Sequence, residues 1–254
     1  MLDYQDSRMR YQPNSILGKN DGIYQLSALI GLRALLPRFW DRDCEGPFVL
    51  TLTDLHQSNF FVDDDWNITR LIDLEFAPVR PIQMVRVPSW LNSRSIDELN
   101  GPYLEEYKAL YTKFVDIVEK EETASQQVIG TTLSQRLRDD WNTGRIWYTR
   151  ALDSTNGFPF VFEQHLQPRF FKNFQLDTDG LALMQLWDEN VLDFIAKKLK
   201  DKDRYQEQIC EIFAAAQASD IENKGAVGME GEGDTEDGVK ADVKRTVNEE
   251  TVSV

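Results

Sequence analysis

The stretch Phe48–Pro81 reads FVLTLTDLHQSNFFVDDDWNITRLIDLEFAPVRP. Gly46 and Pro47 precede it, the apolar FVLTL leads into a polar loop, and Phe60, Phe61 and Val62 then read as a strand. Asp63, Asp64, Asp65 and Asn67 are turn formers, and a second strand follows with Ile68, Leu71 and Ile72. The pattern therefore predicts one hairpin with Asn59 and Asp73 at its two open ends, and Asp54 in the loop that enters it. Taken singly, Asp54 and Asn59 would be loop polar residues and Asp73 a cap for the next turn. Their joint spacing points further. Phosphoryl transfer needs little covalent help from a protein, but it needs an Asp to take or orient the acceptor hydroxyl's proton, and oxygen ligands for a metal. Asp54 is placed to be that base. Asn59 would give a carbonyl oxygen and Asp73 a carboxylate to Mg²⁺, an ion that takes few protein ligands.

Asp, then Asn five residues on, then a hairpin ending in an Asp within the string IDLE (Ile72–Glu75) resembles the aminoglycoside phosphotransferase-like (APH-like) kinases, and within them a fungal branch. The resemblance implies an α+β, mostly helical protein, built as a protein-kinase-like C-terminal lobe whose short hairpin carries the metal site. It also implies ATP as donor, Mg²⁺ as cofactor and a small hydroxyl-bearing acceptor, since the family includes kinases of aminoglycosides, choline and homoserine. By the family's pattern Asp54 is the catalytic base, Asn59 and Asp73 are the magnesium ligands, and Glu75 is structural. One departure is Leu52, where the family commonly has His two residues before the catalytic Asp. His56 matches a His often seen after the Asp-Leu pair, and is expected to pack and hydrogen-bond rather than to catalyse.

A kinase-like fold puts its nucleotide-binding lobe upstream of this loop. Before Phe48 there is no Gly-rich loop followed by a strand Lys, and the chain contains no GxxxxGK[ST] motif. Gly18–Gly22 reads as a turn cluster, and a helix is predicted from an N-cap at Asp21, with Ile23, Leu26, Leu29, Ile30, Leu32, Leu35 and Leu36 on a broad apolar face before Pro37. The expectation is thus a C-terminal lobe with the N-lobe apparently missing, as a phosphotransferase or, alternatively, as a non-catalytic kinase-like binding or regulatory module. A magnesium-dependent phosphohydrolase would need another acidic cluster to complete a two-metal site. None stands out in the sequence.

The 254 residues are 41% hydrophobic, with six Trp and fourteen Phe, enough for one sizeable core. A net charge of −15 argues against non-specific nucleic-acid binding, which draws on Lys and Arg, and against anionic membrane surfaces. Acceptor chemistry is legible only weakly: Asp63–Asp65 would attract a cationic acceptor or, more simply, solvate a tight turn. Ser219–Val254 holds ten acidic and four basic residues with recurrent Gly, so residues 1–218 are expected to form the lobe and residues 219–254 a disordered acidic tail. Two cysteines, Cys44 and Cys210, make no disulfide framework, and the opening MLDYQDSRMR lacks the apolar core of a secretory signal. With no apolar run of membrane-spanning length, a reducing, cytoplasmic location is expected. Two His and no paired Cys motif argue against a structural zinc site, and no GxSxG elbow supports a serine hydrolase.

Beyond the hairpin the periodicity predicts helices over Tyr103–Glu122 and Leu133–Ala151, then a connector over Thr155–Phe174 that contains His165, then two helices over Leu181–Lys200 and Tyr205–Ala216. Trp141, Trp147 and Tyr148 read either as interior packing or as the lining of a substrate pocket.

Overall fold

The computed structural model describes residues 1–40, 47–125, 132–173 and 176–227. Cys44 and residues 228–254 of the expected tail lie outside the described residues. Two units divide the chain, Met1–Asp203 and Arg204–Val254, and the expected division at 218/219 falls inside a helix that runs Val191–Val227.

The first unit is mostly helical with two small antiparallel ladders, an α+β arrangement. Helix α1 (Leu2–Tyr11) leads to α2 (Lys19–Phe39), four short strands follow as β1 (Phe48–Leu50), β2 (Phe60–Val62), β3 (Ile68–Leu71) and β4 (Val79–Pro81), and the described regular elements after them are helical. After the strands come α3 (Gly101–Ser125), α4 (Leu133–Thr143), α5 (Arg145–Asp153), α6 (Phe158–Val161), α7 (Gln167–Phe170), α8 (Leu176–Gln185) and α9 (Val191–Val227).

Helix α2 is the central element because its apolar face serves two cores at once. Leu29, Leu32, Leu35 and Phe39 join Tyr107, Tyr111 and Val115 of α3, Tyr148 and Leu152 of α5, and Phe158 of α6 in the larger core. Leu26 and Ile30 join Met9, Ile16, Met184, Val191 and Ile195 in the smaller one. The predicted start at Asp21 is corrected: the helix begins at Lys19, and Asp21 sits in its first turn, where its carboxylate accepts from Leu17 N at 2.7 Å and Gln25 Nε2 at 2.9 Å. An anion there also meets the positive end of the helix dipole. The helix likewise passes Pro37 and ends two residues later, at Phe39.

Gly31 marks the closest approach in the larger core. A Cβ built on it would stand 2.2 Å from Cζ of Phe162, so only hydrogen fits between α2 and that ring. The polar ends of the buried tyrosines are satisfied by backbone carbonyls: Tyr111 donates to Leu137 O at 2.6 Å and Tyr148 to Leu32 O at 3.2 Å.

Four of the predicted elements differ. The Leu133–Ala151 run is two helices, because Gly144 adopts φ +84° and its N–H closes on Asp140 O and Trp141 O, the left-handed helix stop that glycine allows. Within the expected Thr155–Phe174 connector, residues 158–170 are helical, through α6, a wide π turn at Phe162–Leu166 and α7, and Phe174 lies outside the described residues. Pro168 offers no N–H to a carbonyl one turn back, which favours a change of pitch at that point. The last two predicted helices are α8 and one long α9, with the break at residues 186–190. Trp147 and Tyr148 are interior, which settles their packing role.

His165 lies in the π turn with its ring stacked on Trp147, centroids 3.7 Å apart, and with Nε2 buried and unpartnered. Burial pushes its pKa down to about 4, from 6.5 in the unfolded chain. Between those values the unfolded chain takes a proton that the folded one refuses. This contribution is complete above pH 6.5 and is lost as pH falls toward 4, amounting to about 3 kcal/mol. Asp140, whose pKa is raised to about 6 by burial, acts in the opposite sense over part of the window. Urea unfolding of wild type and His165→Gln at pH 7 and pH 4 separates the two. Their stability difference should change by about that amount, and a constant difference would refute the assignment.

Candidate functional site

The four strands form one antiparallel hairpin interrupted in the middle. At its base β1 pairs with β4 in the register Phe48↔Pro81, Val49↔Arg80 and Leu50↔Val79. The ladder continues through Thr51 N to Pro78 O and Thr53 N to Phe76 O, both 3.0 Å. At its tip β2 pairs with β3, Phe60↔Leu71 and Phe61↔Arg70, and one further bond runs from Ile72 N to Asn59 O at 3.1 Å. Between the Thr53/Phe76 and Asn59/Ile72 pairs the chain is unpaired, residues 54–58 on one side facing 73–75 on the other. That break holds Asp54 and Asp73, and Asn59 closes one end of it.

Both Asp54 and Asp73 are solvent-exposed, whereas Asn59 is buried. The amide of Asn59 donates through Nδ2 to Asp54 O at 3.0 Å, and Oδ1 accepts from Ser58 Oγ at 3.3 Å. An amide has a donor end and an acceptor end. With the donor end committed to the Asp54 carbonyl, the acceptor end is oriented and the loop from 54 to 59 is closed on itself. Asp73 adopts φ +63°, a left-handed conformation that Asp tolerates better than most residues. Non-glycine residues persist there where the surroundings over-determine them, often at ligand sites.

Leu52 is exposed and contributes nothing to the loop's internal bonding. Trp90, which sequence reading missed, holds it from outside: its indole N–H donates to Leu55 O, and its ring packs against His56 and Phe60. Ser93 Oγ adds a bond to Gln57 Oε1 at 3.3 Å. Trp90 belongs to a segment anchored from beneath by Tyr107 of α3, whose hydroxyl donates to Pro88 O at 3.1 Å. His56 precedes a short 3₁₀ turn and accepts through Nδ1 from Ser58 N at 3.5 Å, a capping role. At the hairpin tip, Asp63 Oδ1 accepts from Asn67 N at 2.8 Å and Asp65 N at 3.0 Å, and these bonds lower its pKa. Its carboxylate is spent on the turn. Glu75 is exposed on the shorter side of the break.

Asn59 and Asp73 would be the residues to hold Mg²⁺. The fit rests on the oriented acceptor end of Asn59 together with an exposed carboxylate one position beyond its ladder partner, Ile72. Among the described residues no three or more His, Cys, Asp or Glu side chains form a group that could hold a metal. The pair is one amide and one carboxylate, a set suited only to an ion that keeps much of its water. No described helix is long and apolar enough to cross a membrane. No family model, curated protein or solved structure matches the chain.

Proposed function

We propose that the chain is a kinase-like, APH-like phosphotransferase lobe that uses ATP and Mg²⁺ to phosphorylate a small hydroxyl-bearing molecule in the cytoplasm. The observation that carries this reading is the bond from Asn59 Nδ2 to Asp54 O across the break in the hairpin. It ties the proposed base to the proposed ligand and fixes which end of the amide is left for a cation. Asp54, exposed and adjoining the Thr53/Phe76 pair, takes the proton of the acceptor hydroxyl as that oxygen bonds to the γ-phosphorus of ATP and the bond to the β,γ-bridging oxygen breaks, releasing ADP. Asp73 and Asn59 Oδ1 are the residues that would hold Mg²⁺, which when bound would neutralise phosphate charge. Trp90 and Ser93 hold the loop through their bonds to Leu55 O and Gln57.

The test is Asn59→Ala in a titration with a fluorescent ATP analogue. Outer-shell partners alone are worth about 10–100-fold in metal affinity, so loss of a direct ligand should weaken Mg²⁺-dependent binding by about tenfold or more. Binding in EDTA should be the same for both proteins. Equal weakening with and without Mg²⁺ would mean that Asn59 only braces the loop, and the metal role would fall.

A further inference from the structure

A cavity of about 630 Å³ opens beside the 53–57 side of the loop, between that loop, the 86–96 segment and the end of α5. Thr53, His56 and Gln57 line it on the loop side, and Asp54, Asn59 and Asp73 do not. Its other walls carry Arg80, Arg86, Arg94 and Arg150, against a single lining carboxylate, Asp153. This concentration of guanidinium groups occurs in a chain of net charge −15. Resting on the phosphotransferase reading, we propose that this cavity seats the acceptor, and that the acceptor is a small molecule carrying a carboxylate or phosphate group.

One carboxylate cannot neutralise this cluster. Asp153 Oδ2 pairs with Arg80 at 3.2 Å and also with Arg86, so a single oxygen serves two guanidinium groups. Arg150 donates to Val87 O and reaches Tyr107 Oη at 3.4 Å, with no carboxylate partner described. Arg94 pairs with Glu98 at 3.6 Å across a partly exposed surface, a contact of small worth. Arg86 shows the strain of the arrangement: burial, then the charges of Arg150 and Arg80, push its pKa down to about 9. Clustering like charges in a half-buried cavity is costly unless an anion offsets it, and arginine's fork matches carboxylate and phosphate oxygens. Asp153 Oδ1, for its part, is buried without a partner, so Oδ2 alone meets both guanidinium groups. The position beside Thr53 and His56 sets such a ligand against the residues that flank Asp54 in sequence, outside the metal pair. Cationic acceptors are disfavoured on the same grounds.

The chain carries two histidines, which makes the test site-specific. Imidazole ¹H–¹⁵N spectra of the full chain are recorded during titration with inorganic phosphate, with citrate and with spermidine, all without ATP or Mg²⁺. Phosphate or citrate should move the His56 resonances and leave those of His165, which is buried against Trp147, in place. Spermidine should move neither. Whichever anion binds tighter identifies the group. Arg86→Gln removes a buried partner of Asp153, so the less buried Arg80→Gln and Arg94→Gln are measured beside it. Affinity should fall by about tenfold in at least Arg80→Gln and Arg86→Gln, the worth of one charge-assisted hydrogen bond. No movement at His56, an equal response to spermidine, or wild-type affinity in all three variants would overturn the proposal. Because no nucleotide is present, failure here is distinct from failure of Mg²⁺-dependent ATP binding.

Discussion

Asp54→Asn should fold like the wild type, bind nucleotide with Mg²⁺ like the wild type, and transfer phosphoryl groups slower by a factor of about a hundred or more. The expectation follows from where the residue sits. Its side chain is exposed, so exchanging a carboxylate for an amide of the same shape removes no packing. Its carbonyl, which accepts from Asn59, belongs to the backbone and is untouched by the exchange. What disappears is the ability to take a proton. ADP release is measured with an acceptor drawn from a screen of hydroxyl compounds that carry carboxylate or phosphate groups. Equal turnover in the variant would remove Asp54 from the reaction, and a loss matched by lost nucleotide binding would make it a ligand instead of a base.

The acceptor proposal also changes which compounds belong in that screen. Asp63–Asp65, the acidic run that would draw a cationic acceptor, lies at the hairpin tip with Asp63 committed to closing the turn. The positive cavity lies at the other side of the loop, beneath Thr53 and His56. Charge therefore argues for acidic acceptors, against the aminoglycoside-like chemistry that the resemblance by itself would bring to mind.

The hairpin was legible in sequence because its signals are local. Strand alternation, a run of Asp and Asn at the turn, and the spacing of Asp54, Asn59 and Asp73 all lie within Phe48–Pro81, and β2 and β3 form where those signals put them, whereas β1 and β4 were not predicted. The register was not legible. Nothing in FVLTL announces that Thr51 and Thr53 pair with Pro78 and Phe76, because cross-strand partners are chosen by the whole ladder. Helix α2 was readable from its apolar face, but its N-cap is Gly18, three residues before the predicted Asp21. An acidic side chain near a helix N-terminus serves as well in the first turn as at the N-cap. The π turn around His165 was hidden because Pro159 and Pro168 suggest breaks in the chain, whereas Pro159 stands in the first turn of α6, where a missing N–H costs nothing, and Pro168 lies where the pitch changes within one helical run. Trp90 and the arginine cavity were missed for a different reason. Arg80, Arg86, Arg94 and Arg150 converge only through tertiary structure. The one local hint is that residues 80–94 hold three Arg and no acidic residue in a strongly acidic chain.

Asp73→Ala is expected to abolish the Mg²⁺-dependent part of nucleotide binding, since it deletes the one carboxylate of the proposed coordination pair. The substitution also asks alanine to hold φ +63°, so its effect on stability without ligand has to be recorded first. Thermal unfolding of the wild type with ATP, with and without Mg²⁺, beside the variant under the same conditions, is therefore the most direct measurement. A ligand at about 100 times its Kd adds about 2.7 kcal/mol to the folded state. For a chain of this size that corresponds to a rise of about 5–10 °C. The account predicts such a rise in the wild type only when Mg²⁺ accompanies ATP, and none in Asp73→Ala. A wild type indifferent to Mg²⁺, or a variant that shifts as far as the wild type, would contradict it.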